Sequence, residues 1–207
     1  LTISSSFGNV GWFAEGVVSW GSDYGEIEAV ETPFPTPSPL YKIVDREGLY
    51  FHATAGGMYS FKDSDGLFNL TGTLQYYFNG EGYKEQEPFK VARQFALDQT
   101  KPLPPIINLG EEGVPVLNFM NTGRHYLGAT VMWNEVLGSK FSNSTFILAN
   151  FSDRSGMVGN TISLPKLSKF SPNVGVSFSF GDEGSELAPS GKETKIFAGV
   201  TIGSGSF

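Results

Sequence analysis

Most of this 207-residue chain divides into segments of about nine to twelve residues in which apolar side chains alternate with small or polar ones. Phe68-Asn69-Leu70-Thr71-Gly72-Thr73-Leu74-Gln75-Tyr76-Tyr77-Phe78 is one such segment, and Val174-Gly175-Val176-Ser177-Phe178-Ser179-Phe180 is another. A period of two belongs to β-strands, whose successive side chains point to opposite faces. One face is therefore Phe, Leu, Val and Tyr, and the other Ser, Thr, Asn, Gln and Gly. Such a sheet can bury its apolar face against a second sheet, as in a soluble sandwich. It can also turn that face outward to lipid and keep the polar face around a wet lumen. The second solution is the one expected here: an all-β, antiparallel transmembrane β-barrel.

Period-two reading gives nine strands, at about 1–7, 10–20, 48–61, 67–79, 123–134, 139–151, 157–165, 173–180 and 194–206. Short connections (8–9, 62–66, the turn after Asn134, and 166–172) alternate with a second set that includes three long ones, 21–47, 80–122 and 181–193. In that set only 152–156 is short. Tight turns on one side and longer loops on the other are a barrel habit. Nine is odd, whereas single-chain bacterial barrels have an even number of strands. The chain then reads as the C-terminal part of a larger barrel, completed by an N-terminal fragment or a second chain. If the seven-residue first strand is discounted, eight strands would close a small barrel alone. Leu1-Thr2-Ile3-Ser4-Ser5-Ser6-Phe7 has neither a basic start nor an apolar run, so an outer-membrane reading expects a signal segment upstream.

Composition excludes several classes. No run of about eighteen apolar residues exists, so no transmembrane helix is expected; a mean hydropathy of −0.11 suits alternating strands. The 26 Gly, 18 Phe and 8 Tyr suit a β-protein with aromatic belts. With no Cys, disulfide scaffolds and thiolate metal sites are excluded. A formal charge of −7 argues against nucleic acid as a partner, which needs a basic face.

Two long loops stand out. Residues 21–47 hold Asp23, Glu26, Glu28 and Glu31, then Pro33, Pro35, Pro37 and Pro39, a spacing that favours extended polyproline-type chain. In 80–122, Pro88 followed by Phe89, Ala92 and Phe95 predicts a short amphipathic helix over 88–98, ended by Pro102, Pro104 and Pro105. A segment of this length either folds inward to narrow a lumen or stays outside as a mobile loop.

Several passages resemble bacterial outer-membrane barrels of the porin-like kind. They are Leu74-Gln75-Tyr76-Tyr77-Phe78-Asn79-Gly80-Glu81-Gly82-Tyr83, Gly123-Arg124-His125-Tyr126-Leu127-Gly128-Ala129 with Trp133, Leu148 to Gly156, and Phe178 to Glu186. The resemblance spans the second two-thirds of the chain and implies a barrel in the outer membrane of a Gram-negative-type bacterium, without fixing a cargo. One departure lies at the end. Phe207 is in phase with Gly205, Gly203, Thr201 and Gly199, while Ile202, Val200, Ala198 and Ile196 occupy the other phase. A glycine bulge would restore the phase.

Candidate functional residues follow from the phases. Asn69, Thr71, Thr73, Gln75, Ser177 and Ser179 lie on the polar face of their strands. Arg124 and Tyr126 share a phase with Gly128 and Thr130, and Glu15 shares one with Phe13, Val17 and Ser19. Glu15 and Arg124 are expected inside, since a charge facing lipid is costly at mid-depth. There they would either pair across the lumen or contact solute. The histidines His52 and His125 bring no nucleophile motif with them, and His125 is in phase with Leu127, Ala129, Val131 and Trp133, hence outward. Asp63-Ser64-Asp65-Gly66 matches the start of a calcium loop but lacks its later ligands, and a hairpin turn accounts for it. The acidic groups Glu111-Glu112 and Asp182-Glu183-Glu186 are solvated loop charges or bridges to divalent ions. The sequons at Asn69, Asn143 and Asn150 fall within strands and are read as chance. Trp12, Trp20, Tyr76, Tyr77, Phe78, Trp133 and Phe151 fall near strand ends, where aromatic girdles sit.

The expected function is passive passage of small solutes through a polar lumen, with outer-membrane lipid around it, no cofactor and no catalysis. A β-sandwich or jelly-roll binding or assembly module, such as a surface or virion protein, is the alternative from another class. A barrel hydrolase rests only on the two histidines.

Overall fold

The computed structural model describes residues 1–31, 39–107 and 117–202. Nine of its strands form one antiparallel sheet in which each strand pairs with the next along the sheet: β1 (Thr2–Phe7), β2 (Val10–Trp20), β5 (Leu49–Lys62), β6 (Asn69–Phe78), β7 (His125–Asn134), β8 (Ser142–Asn150), β9 (Ser155–Ser163), β10 (Phe170–Phe180) and β11 (Glu193–Ile202). Every strand read from the period-two pattern is present, and each described end falls within a few residues of the one expected. The sheet is open: β1 and β11 each pair on one side only. With nine antiparallel strands, these two edges run in the same direction.

The connections fall into two sets at the two ends of the sheet. At one end are tight turns. Gly8 takes a φ of 57° at the first central position of the two-residue β1–β2 hairpin, a conformation that favours glycine. In the β5–β6 turn, Asp63 Oδ1 accepts the Phe68 N–H at 2.9 Å and Gly66 has a φ of 71°. The Asp63–Gly66 motif is thus a hairpin turn. At the other end lie the connections 21–48, 79–124, 151–154 and 181–192, whose described residues form a folded layer that we call the mouth.

The mouth holds a hairpin that the sequence pattern missed, β3 (Glu26–Val30) paired with β4 (Leu40–Val44). Pro33, Pro35 and Pro37 lie outside the described residues. The helix α1 (Glu87–Leu97) is where the Pro88 signal put it, shifted by one residue. Phe89 is fully buried and meets Tyr83 at 4.4 Å between ring centroids. Around them gather Tyr41, Ile43, Ile106 and Leu117, with Ile27 and Phe119 packed alongside. This small core ties β4, α1 and the chain around 106 together, and Tyr41 N–H donates to Pro105 O while Tyr41 O accepts from Ile107 N–H.

The sheet is organised in the opposite sense. Among the buried hydrophobic residues, only Tyr126 belongs to it. Its apolar face carries Val10, Trp12, Val18 and Trp20 on β2, Leu49 and Phe51 on β5, Leu74 on β6, Val131 on β7, Val176 on β10 and Ile196 on β11. All of these are exposed. No second layer packs on this face among the described residues. On β11 the register runs unbroken from Glu193 to Ile202, with Gly199 opposite Asn173, so no bulge re-phases this stretch. Gly203, Gly205 and Phe207 lie outside the described residues.

Glycines in the sheet are paired with aromatic rings. Phe13 faces Gly56, Phe146 faces Gly159 and Phe197 faces Gly175 on one face, and Phe180 faces Gly156 on the other. In each pair a Cβ built on the glycine would overlap the ring. The ring shields backbone that a bare glycine leaves open, the arrangement termed aromatic rescue. Gly159→Val should therefore lower stability by about 1–3 kcal/mol through overpacking, despite the higher strand propensity of valine. Urea unfolding in detergent checks this, and an unchanged midpoint would count against the packing role of the pair.

Candidate functional site

Direct partners in an antiparallel pair project to the same face, so the register assigns faces without ambiguity. One row runs Gly56, Gln75, Gly128, Leu148, Met157, Ser179 across β5 to β10. The next row, toward the turns, runs Met58, Thr73, Thr130, Phe146, Gly159, Ser177, Lys195. Toward the mouth, Glu15, Thr54, Tyr77, Tyr126, Asn150 and Ser155 form a third. Asn69 and Thr71 continue the β6 side. Glu15, Asn69, Thr71, Thr73, Gln75, Tyr126, Ser177 and Ser179 thus share one face, as their phases implied.

Arg124 does not join them. It precedes β7 and belongs to the mouth, where its Nε donates to Gly82 O at 2.8 Å and its backbone N–H to Ser152 Oγ at 2.7 Å. The face is also less polar than the β6 pattern suggests, since Phe13, Met58, Met132, Phe146, Leu148, Met157 and Phe197 lie on it.

His125 sits on the apolar face, as its phase implied, with its Nδ1 2.6 Å from the Tyr76 hydroxyl. His52 is on the polar face, with Nδ1 3.3 Å from the Tyr77 hydroxyl and Nε2 3.5 Å from Glu81 Oε1. Ser22 Oγ bonds to the other carboxylate oxygen of Glu81, not to His52. Glu81 therefore stands between Ser22 and His52. No cluster of three or more His, Asp or Glu that could hold a metal occurs among the described residues; Glu111 and Glu112 lie outside them.

The residue that organises the mouth is Glu186, read in the sequence as a solvated loop charge or a bridge to divalent ions. Its Oε1 accepts the Asn121 N–H at 2.8 Å. Its Oε2 accepts the Thr122 N–H at 3.0 Å, the Tyr126 hydroxyl at 2.8 Å and Asn150 Nδ2 at 3.0 Å. Thr122 Oγ1 stands 3.0 Å from both Glu186 Oε2 and Gln86 Oε1, with one proton to give. One carboxylate therefore joins the 181–192 loop to 117–124, β7 and β8. Asp153 holds the same loop from behind, accepting the Glu186 N–H at 2.7 Å and the Ser155 hydroxyl at 2.6 Å.

Arg93 of α1 completes the layer. Its guanidinium donates to Phe119 O, Gly184 O and Thr122 Oγ1 at 2.8–3.3 Å. Burial lowers its pKa, opposed by the nearby Glu186 and Asp153 charges. On the other flank, Arg46 lies 4.6 Å from the Tyr83 ring centroid and donates to Glu81 O. Burial, opposed by Arg46, pushes the Tyr83 phenol up to about 12, and its hydroxyl donates to Gly25 O at 2.6 Å.

The mouth overhangs the polar face. Between them lies a cavity of about 480 Å³, lined by Thr73, Gln75, Tyr77, Tyr126, Gly128, Thr130, Phe146 and Leu148 of the sheet and by Asn121, Glu186 and Leu187 above it. Asn121 from one loop and Glu186 and Leu187 from another form the overhang.

The class defined so far is a mostly-β protein with an open nine-stranded antiparallel sheet and a packed layer of loops at one end. Comparison of the chain with protein-family models, with curated proteins and with solved structures returned no match.

Glu186→Ala should leave the Tyr126 hydroxyl, Asn150 amide and two backbone N–H groups without their acceptor, at a cost of about 3 kcal/mol. The readout is amide exchange, with Asn121 and Thr122 losing protection while central β6 and β7 amides keep theirs. Alkaline titration tests Tyr83. Its folded pKa is raised, so its contribution is fully present below the unfolded value of 10.0 and is lost as pH rises through about 12. Loss of mouth structure in that window should accompany the late component of tyrosinate absorbance, and Tyr83→Phe should remove that coupling.

Proposed function

We propose that this chain forms part of a transmembrane β-barrel of the outer-membrane type, through which small solutes pass without catalysis. The polar face bounds the lumen, the apolar face contacts lipid, and further strands, from the same polypeptide or a second chain, complete the wall. The observation that carries this reading is the inversion of packing: an exposed, uncovered apolar sheet face beside a well-formed apolar core in the loops.

Dimensions support it. Eight of the nine strands have 9 to 14 residues. Ten residues at about 3.3 Å each, tilted about 40°, cross about 25 Å, the height of a lipid-facing band. The lengthwise order supports it too. On the apolar face, aromatics gather at both ends. Trp20, Phe51, Tyr76, Phe78, Phe178 and Phe180 lie at the mouth end; Phe7, Tyr59, Phe61 and Trp133 lie at the turn end, with Phe68 stacked on Trp133 at 5.5 Å. Between them the face is Ala14, Ala53, Ala55, Leu74, Leu127, Ala129, Val131 and Val176. Two aromatic girdles around an aliphatic band match the depth profile of a bilayer. Three of the polar exceptions, Asn143, Thr145 and Asn160, bond to one another at 2.8–3.5 Å, which removes much of the cost of facing hydrocarbon.

A soluble sandwich would need a second sheet about 10 Å away on the apolar face. Solution behaviour separates the two. The protein should be recovered with membranes, need detergent to stay monodisperse, and make liposomes permeable to small neutral solutes when reconstituted. A monodisperse, detergent-free protein that leaves liposomes sealed would overturn the proposal.

A further inference from the structure

We propose that the cavity under the mouth is a binding site for a small uncharged amphipath, with an aromatic or short aliphatic body bearing a hydroxyl. The proposal rests on the pore reading for its meaning, as the solute class that the lumen selects, but the binding itself can be measured without any transport.

Three features carry it. The floor is apolar and open at one point. On this face Phe13, Phe146 and Phe197 cover Gly56, Gly159 and Gly175, whereas no ring covers Gly128. The nearest non-neighbouring atom to a Cβ built there is Gln75 O at 4.0 Å. Gly128 therefore leaves a gap, walled by Phe146 and Leu148 below and Leu187 above. At about 480 Å³ the space is within the range of small-molecule sites.

The one charged group in the wall is already hydrogen-bonded. Glu186 accepts four fixed hydrogen bonds and a share of a fifth, and Arg93 stands close enough to feel its charge. An anionic guest would lose hydration with no cationic lining residue to meet it. The remaining polar capacity is neutral. Gln75 makes no side-chain hydrogen bond among the described residues, and its amide offers both a donor and an acceptor to a hydroxyl. A largely apolar cavity with one unspent amide and no cationic lining residue fits a neutral amphipath better than an anion.

The experiment is equilibrium binding of 4-ethylphenol to the detergent-solubilised protein by saturation-transfer NMR, with protein-free micelles as the blank. 4-Hydroxybenzoate, of similar size but anionic, is the comparison. Saturable binding of the phenol, at least about ten-fold tighter than the anion, is expected. Gly128→Phe should abolish it by filling the gap. Gln75→Leu should weaken it about five-fold, the worth of one neutral hydrogen bond. Circular dichroism and protection of the Asn121 and Thr122 amides confirm that both variants keep the sheet and the mouth. Signal no different from empty micelles, equal binding of the anion, or full binding by a folded Gly128→Phe would each overturn the proposal. A sealed liposome with intact phenol binding would overturn the pore reading and leave this site standing.

Discussion

Antiparallel hydrogen bonding is the constraint on which everything else in this molecule hangs. Once adjacent strands are paired in register, each side chain has a fixed opposite number and a fixed face. A slip of one residue anywhere would exchange the two faces of that strand. The rows across β5 to β10 keep a single register for six strands, and the tight turns pin it at one end. At the other end the mouth adds a second set of ties: Glu186 and Asp153 from the loop side, Asn150 and Tyr126 from the strand side. The sheet therefore needs no covering layer to define which residues meet.

The mouth and the sheet obey opposite rules. In the mouth, Phe89, Tyr83 and Ile106 pack as in any water-soluble core, and buried polar groups such as Gln86, Asn79 and Thr122 find partners. In the sheet the large apolar side chains are those left outside. What packing exists within it is local, a phenyl ring laid across the glycine of the next strand. That device gives a thin wall lateral cohesion where a hydrophobic core is lacking, and it leaves room wherever the ring is omitted, as at Gly128.

Much of the sheet was legible in the sequence because its signal is local. Alternation marks β2, β6 and β10 directly, and Gly8 or Gly66 marks where the chain turns. The helix was legible from Pro88 and the spacing of Phe89 and Ala92. What was not legible depends on pairing between distant residues. β8 reads Ser142-Asn143-Ser144-Thr145-Phe146-Ile147-Leu148-Ala149-Asn150, where polar and apolar residues are segregated along the strand instead of alternating. Only its register with β7 places Phe146 and Leu148 on the cavity side. The strands of the β3–β4 hairpin have five residues each, too short for a periodic signal. Glu186 looked like one of three acidic loop residues, because its donors come from Asn121, Thr122, Tyr126 and Asn150, at least 36 residues away.

The common direction of β1 and β11 has a topological consequence for any wall built from this sheet. If every new pair is to be antiparallel, the filling segment must contribute an odd number of strands. A segment that crosses an odd number of times enters on one side of the bilayer and leaves on the other. In a barrel of the proposed kind, a simple hairpin, whose two ends emerge together, could not close the wall, and the closing segment would itself have to thread the membrane from side to side.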